Sequence, residues 1–330
     1  MPIALTCGEP ASIAPEITAK AWSALRGNPK SCFLLVGDAD YYAARAAVAG
    51  LAIKIAKIAT PADAEKHFSA SLPVLHRPLG THPVAGSIAS VTAKSVIDAI
   101  DESVALAMSG EVSAIVTNPI QKEALYAAGF RHQGHTDYLA SLAGCEGQEV
   151  MMLVAVDLRA IPITVHIPLK DVAITLTQGM IISQARVVAK DLKKYFGIAS
   201  PRLAFTGLNP HAGENGVMGH EDQDIIVPAL KQLRGEGFTV IGPLPADTAF
   251  HAEAREHYDA ILCMYHDQAL IPAKTLDFHG GVNVTLGLPF VRTSPDHGTA
   301  LGIAGTGTAN PQSLIAALKL AGEMAAAARG

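Results

Sequence analysis

The chain has 330 residues, 49% of them hydrophobic but only 5% aromatic, and a formal net charge of -5. That length allows two cores, which must be aliphatic. The absence of a long basic run leaves no electrostatic footprint for nucleic acid or an anionic membrane surface. Cys7, Cys32, Cys145 and Cys263 are widely spread in mostly apolar surroundings, which argues against a disulfide framework and for thiols in a reducing compartment.

Residues 1–5 enter a strand at once, without the basic and apolar regions of a signal peptide, and no apolar run approaches a membrane span. The expectation is a cytoplasmic soluble protein. Apolar runs then alternate with helical patterns: 32–36 before 38–49, 112–116 before 121–128, 202–205 before 221–233, and 260–264 before 269–275. Longer helices are expected over 90–108 and 178–196, and Pro311 opens a last helix. The alternation predicts an α/β architecture with a largely parallel sheet.

Three histidines stand where predicted strands end. His166 closes 161–165, His211 follows 203–205, and His266 follows 260–262. Loops beyond the carboxyl ends of strands are where open α/β sheets bind ligands. Three imidazoles there read as a divalent metal site with an open position. Taken singly, each also reads as a surface or hydrogen-bonded histidine, and none has a short Cys/His spacing beside it.

Lys274, Asn283 and Arg292 lie near the Gly280-Gly281 and Gly287 turns, where two cations and an amide could clamp a phosphate. As ordinary surface charges they need no ligand. His135 and Thr136 mark a helix N-terminus with Thr136 as its cap, leaving free N–H groups toward an anion. Gly305-Thr306-Gly307-Thr308-Ala309-Asn310 lacks the third glycine of a dinucleotide fingerprint, and Gly8 to Ile17 lacks the Lys-Ser/Thr of a phosphate loop.

Longer segments carry a resemblance. Thr117-Asn118-Pro119-Ile120 with Lys122, Gly134-His135-Thr136-Asp137, Gly207 to Glu214, Gly242 to Thr248, Met264 to Gln268 and Arg292 to Ala300 resemble the 4-hydroxythreonine-4-phosphate dehydrogenases, the PdxA family of pyridoxal phosphate synthesis, over essentially the whole chain. The resemblance implies a two-lobed fold like that of isocitrate and isopropylmalate dehydrogenases, with a mixed, largely parallel sheet and an inter-lobe active-site cleft. The expected lobes are 1–130 plus 295–330, with the dinucleotide loop, and 131–294, with the metal and substrate site and the dimer interface. It makes His166, His211 and His266 ligands of one divalent ion (zinc, magnesium, manganese or cobalt). His135, Thr136, Lys274, Asn283 and Arg292 become substrate contacts, and the protein a homodimer with a shared active site.

The stretch 297–311 is also similar to the adenosine-binding loop of isopropylmalate and isocitrate dehydrogenases. That similarity implies NAD or NADP at His297, Gly298, Thr299, Gly305 and Asn310. The implied reaction is oxidation of 4-phosphohydroxy-L-threonine followed by decarboxylation, with Asp247 and Asp267 as candidates for general base and Asp267 equally a group that orients a ligand. Alternatives are a related dehydrogenase of a phosphorylated sugar acid or a dihydrodiol carboxylate, or a binding protein without catalysis. Two departures stand out. Ser12 and Ala14 replace glycines of the family's Gly-Asp-Pro-Ala-Gly-Ile-Gly-Pro-Glu segment, and Gly302 replaces an Asp that binds ribose hydroxyls.

Overall fold

Parallel strands covered by helices on both faces are largely apolar, and the central strands of the first half of this chain are buried accordingly. In the computed structural model, which describes residues 1–132 and 134–330, β1 (Ile3–Thr6), β2 (Phe33–Gly37) and β5 (Ile115–Val116) are buried along their whole length. With β3 (Ile55–Ile58), β4 (Leu72–His76) and β12 (Arg292–Pro295) they run in the order β3-β4-β2-β1-β5-β12, every pair parallel. These strands belong to one compact unit, Met1–Glu149 with Leu288–Arg329.

The second unit is Val150–Gly287. Its strands β6 (Val150–Ala155), β7 (Leu158–Thr164), β8 (Arg202–Thr206), β9 (Thr239–Leu244), β10 (Ala260–Tyr265) and β11 (Val282–Leu286) run in the order β11-β6-β7-β10-β8-β9. The β11–β6 and β6–β7 pairs are antiparallel, and the rest are parallel. The chain is therefore α/β with mixed, mostly parallel pairing. Among the described residues no single helix is long and apolar enough to cross a membrane. All four cysteines are free, and burial pushes the Cys7 and Cys32 thiols up to about 12.

Local signals explain the element ends. Asp38 accepts the Asp40 and Tyr41 N–H groups at 2.9 and 3.0 Å and starts the helix Ala39–Val48. Thr177 caps Gln178–Phe196, which Gly197 ends in the left-handed region. Other boundaries differ from expectation. The stretch 90–108 begins as a 3-10 turn before the helix Ala93–Met108, and 221–233 begins as a π-turn, Asp222–Ile226, before Val227–Gly235. The helix expected from 269 starts at His266, so no loop separates it from β10.

The units also divide at other places than the expected lobes. The helix His135–Leu142 lies in the first unit, where Tyr138 donates its hydroxyl hydrogen to Asp101 of Ala93–Met108, and β12 pairs with β5. His135, Thr136 and Arg292 therefore belong to the first unit and not to the second.

Ser12 and Ala14 fit without strain. In the segment 8–16 only Gly8 is left-handed, at φ +64°, and a side chain there would run into Asn118 and Pro119. Ser12 Oγ donates to the Glu9 carbonyl at 2.6 Å and accepts the Ala14 N–H at 3.0 Å, so the serine braces the turn that leads into the helix Ala14–Leu25.

Candidate functional site

In the second unit the parallel register of β7 and β10 brings two of the histidines together. Thr164 pairs with Tyr265, and Thr164 Oγ1 donates to the Met264 carbonyl at 2.7 Å. Just beyond, the His166 and His266 rings face each other with centroids 5.7 Å apart. They line a cavity of about 210 Å³ with Tyr265 and Asp267. Asp267 Oδ1 lies 2.7 Å from His266 Nδ1. That contact favours the tautomer with hydrogen on Nδ1 and leaves Nε2 as a lone-pair donor, as ligand histidines are commonly held. Asp267 thus orients His266. Asp247 is exposed and lines, with Asp267, a neighbouring cavity of about 390 Å³.

His211 is held by different means. Residues His211, Ala212, Gly213, Glu214 and Asn215 all have left-handed backbone. A run of non-glycine residues there is strained and persists only when its surroundings over-determine it. Asp222, in the π-turn, supplies that constraint. Its buried carboxylate accepts the N–H groups of Leu208 at 2.9 Å and Asn209 at 3.1 Å, and the Asn209 amide at 3.0 Å. Gln268 ties the ends of β8 and β10 by accepting Thr206 Oγ1 and the Met264 N–H, both at 2.7 Å, and donating to the Gly207 carbonyl at 2.8 Å. His166 is also left-handed, at φ 51°. Among the described residues His211 joins no trio whose ligand atoms all lie within 4.8 Å of one another; the trio that does is Asp38, Asp40 and His76. In that trio Asp38 is already committed to helix capping and to the Leu79 N–H, and Asp40 to Lys57.

The first unit carries a cationic cavity of about 180 Å³ lined by Thr117, Asn118, Lys122, His135, Ser294 and His297, among others. Three buried atoms of its lining have no hydrogen-bond partner among the described residues: His135 Nε2, His297 Nε2 and Asn118 Oδ1. Polar atoms orphaned in this way are expected where a ligand completes the site. Burial, with Arg292 and Lys122 nearby, holds the His135 imidazole well below its usual range. Arg292 is buried, donates to Thr117 Oγ1 at 2.7 Å, and is pushed down to about 10 by burial.

The residue that caps this helix is Gly134 rather than Thr136, because the Asp137 carboxylate reaches back to accept the Gly134 N–H at 2.7 Å. Thr136 occupies the first turn. Lys274 and Asn283 lie in the second unit. Lys274 Nζ stands 5.8 Å from the centre of the Phe278 ring, and Asn283 Oδ1 is a further buried atom without a partner.

The expected cofactor residues separate into two groups. His297 and Gly298 line the cationic cavity. Thr299 is buried and donates to Gln121 Oε1 at 3.2 Å. Gly305 begins a turn, at φ +84°, and the Asn310 side chain accepts the Gln312 N–H at 3.0 Å at the start of the last helix. Gly302 is exposed, in a short turn.

The profile of the pyridoxal phosphate biosynthetic protein PdxA family matches residues 30–321. The chain belongs to this family. It is 51% identical over 337 residues to the 4-hydroxythreonine-4-phosphate dehydrogenase of Bradyrhizobium diazoefficiens, covering 99% of this chain and 97% of the relative. Among solved structures, the 4-hydroxythreonine-4-phosphate dehydrogenase of Klebsiella pneumoniae superposes with a TM-score of 0.89 at 39% identity, over 98% of this chain and 99% of that one. A terephthalate 1,2-cis-dihydrodiol dehydrogenase from Burkholderia xenovorans is more distant, with a TM-score of 0.67 and 27% identity over 98% of each chain.

Asp222, Gln268, Lys122 and Asn118 escaped the reading of the PdxA-like segments as chemistry. Lys122 and Asn118 stand inside the quoted motif around Thr117, and Gln268 ends another, so their signal was position in a motif. Asp222 had none.

Proposed function

We propose that this chain is a 4-hydroxythreonine-4-phosphate dehydrogenase that oxidises the C3 hydroxyl of 4-phosphohydroxy-L-threonine and releases carbon dioxide, leaving 3-amino-2-oxopropyl phosphate. The observation that carries this reading, beyond family membership, is the cationic cavity of the first unit. A phosphate dianion would supply acceptors to His135 Nε2 when that atom carries hydrogen, and it would offset the desolvated charge of Arg292. Thr136 in the first helical turn offers its N–H and hydroxyl, and the family resemblance adds Lys274 and Asn283 as substrate contacts.

The imidazole set His166, His211 and His266 suits a divalent ion such as zinc, cobalt, manganese or magnesium, and the neighbouring rings of His166 and His266 fit one, although borderline ions suit imidazole better than magnesium does. Such an ion, when bound, supplies Lewis-acid polarisation of the substrate oxygen. NAD or NADP, bound at 297–310, supplies the hydride acceptor. Asp267 keeps the His266 ring turned with Nε2 available, which leaves Asp247 as the acceptor of the hydroxyl proton on a carboxylate oxygen.

We also propose that the protein is a homodimer with a shared site. Large apolar side chains stand exposed beside the site histidines of the second unit: Val165 and Leu169 near His166, Val217 and Met218 after His211, and Ile271 one turn past His266. Exposed apolar side chains at that place are what a second subunit would cover.

The test is formation of reduced dinucleotide by the metal-loaded protein, with 4-phosphohydroxy-L-threonine and threonate 4-phosphate run side by side, together with light scattering for the mass. Turnover of the first substrate with NAD or NADP and a dimeric mass are expected. Turnover of threonate 4-phosphate alone would overturn the substrate assignment. The likeness to a dihydrodiol dehydrogenase supports a second reading, a carboxylate substrate in the same cationic cavity, and a dihydrodiol carboxylate in the assay decides it.

A further inference from the structure

The loop after β12 is held by one face of a single helix. In Ala14–Leu25, Glu16 and Lys20 are one turn apart and so project on the same side. Glu16 is fully buried, and its two carboxylate oxygens accept the N–H groups of Gly305 and of Gly307, the latter at 3.0 Å. Lys20 Nζ donates to the carbonyls of Gly307 and Ala309, both at 2.7 Å. Just before the helix, the Ile13 N–H donates to the Thr299 carbonyl at 3.2 Å. Arg45 Nη2 stands 3.5 Å from Glu16 Oε1 and also donates to the Ser12 carbonyl at 3.0 Å.

The two glycines leave no room for a side chain within this grip. Gly305 and Gly307 are left-handed, at φ +84° and +72°. A Cβ on Gly305 would lie 2.9 Å from Ala85 Cβ, and one on Gly307 would lie 2.6 Å from the Ala49 carbonyl oxygen. A buried carboxylate is expensive unless its partners fully satisfy it, and here the backbone of one exposed loop supplies them. The commitments face inward, so the hydroxyls of Thr306 and Thr308, 2.7 Å apart and exposed, are left on the outer side.

We propose that Glu16 and Lys20 form a two-residue clamp that preorganises the loop 299–310 for the adenosine half of the dinucleotide. They are positioning residues that never touch the cofactor. The inference rests on the reading of this loop as the dinucleotide site. A loop held in its binding conformation before the ligand arrives loses less freedom on association. Loss of the clamp therefore weakens dinucleotide binding while leaving the cationic cavity intact.

The test is titration of the intact protein with NADH and with NADPH by fluorescence, for wild type, Glu16→Gln and Lys20→Met, with amide hydrogen exchange over 299–310 in the absence of nucleotide and binding of inorganic phosphate as a control. The expected result is a dissociation constant raised roughly ten- to hundredfold in each variant, the range for one or two hydrogen bonds to a charged group. Exchange at Gly305 and Gly307 is expected to be faster, phosphate affinity unchanged, and in turnover KM for the dinucleotide raised with kcat at saturation retained. A general loss of structure would lower phosphate binding as well and would overturn the proposal. Lys20, half-buried, keeps the test open if Glu16→Gln does not fold. Wild-type binding of dinucleotide with unaltered affinity in the variants overturns the clamp alone. A wild type that binds neither NADH nor NADPH overturns the reading of the loop on which the clamp rests.

Discussion

Arg292→Met should make the protein more stable and less able to bind phosphate. Burial lowers the guanidinium from its ordinary value above 12 to about 10. At about 1.4 kcal/mol per pH unit, keeping that charge inside the folded protein costs roughly 3 kcal/mol. The sign follows from linkage. The folded-state value is depressed, so the cost is fully present below about pH 10 and is relieved only as pH climbs from there toward the unfolded value. Across neutral pH it is constant. Methionine keeps the apolar stem and removes the charge, but it forfeits the guanidinium's hydrogen bonds, that to Thr117 among them, about 1 kcal/mol each. The net gain is about 1 to 2 kcal/mol, a rise of a few degrees in the unfolding midpoint for a chain of this size. Thermal unfolding with and without inorganic phosphate checks both halves. Wild type should gain midpoint with phosphate, following the binding linkage, and the variant should gain little. A variant that melts below wild type without phosphate, or that phosphate stabilises as much as wild type, refutes the argument that this charge is kept for an anion.

Three further outcomes are expected. Gly302→Asp meets nothing within 4 Å of the new Cβ, so it should fold normally and raise the NAD to NADP ratio of catalytic efficiency by roughly 1.5 to 3 kcal/mol, one hydrogen bond to a charged group; steady-state kinetics with both cofactors checks it, and an unchanged ratio means that position 302 does not read the ribose. Ser12→Gly removes both the bond to the Glu9 carbonyl and the acceptor for the Ala14 N–H, and should cost about 1 kcal/mol in chemical denaturation, whereas equal stability would show that the brace contributes nothing. His135 is held neutral well below its usual range, so the unfolded chain binds the extra proton first as pH falls below about 6.5, and stability is lost there. Replacing His135 with Asn should flatten the acid limb between about pH 6.5 and 5 by up to about 1.4 kcal/mol per pH unit, and a limb of unaltered slope would place the lost protons elsewhere.

Apolar periodicity was enough to place β1, β2, β5, β7, β8 and β10 and the long helices after residue 38, because a buried strand needs a continuous apolar run and these runs stand between turn residues. The helix Gln178–Phe196 was legible at both ends, since Thr177 caps with its own side chain and Gly197, lacking Cβ, takes the left-handed backbone that stops a helix. Where capping is done at a distance, the reading slipped. Thr136 has the composition of a cap, yet the Asp137 carboxylate caps from within the helix, which frees Gly134 to take the cap position. The start of the helix at His266 was hidden for a similar reason: Gln268 reaches back to the Met264 N–H and lets strand pass into helix without a loop. The unit boundary after 149 differs from the expected one near 130 because the helix His135–Leu142 packs with Ala93–Met108, far away in sequence, where Tyr138 donates to Asp101.

The candidate site itself was legible only as a set of residue types, and the structure supplies the reason that those types are unusual. His166 and His211 are non-glycine residues in left-handed backbone, a conformation costing on the order of 1 to 2 kcal/mol each. Arg292 is a desolvated cation, and His135 is an imidazole whose Nε2 has no partner among the described residues. Each of these features carries a free-energy cost in the ligand-free chain. They are propped by residues whose own role is ordinary hydrogen bonding: Asp222 for the His211 turn, Thr117 for Arg292, Asp267 for the His266 ring. Unfavourable terms gathered at the proposed ligand contacts, with supports around them, are what a site built to be completed by a cation and a phosphate requires. Stability measured without ligands should therefore understate the stability of the loaded enzyme, and the largest increments should come from the groups that carry these costs.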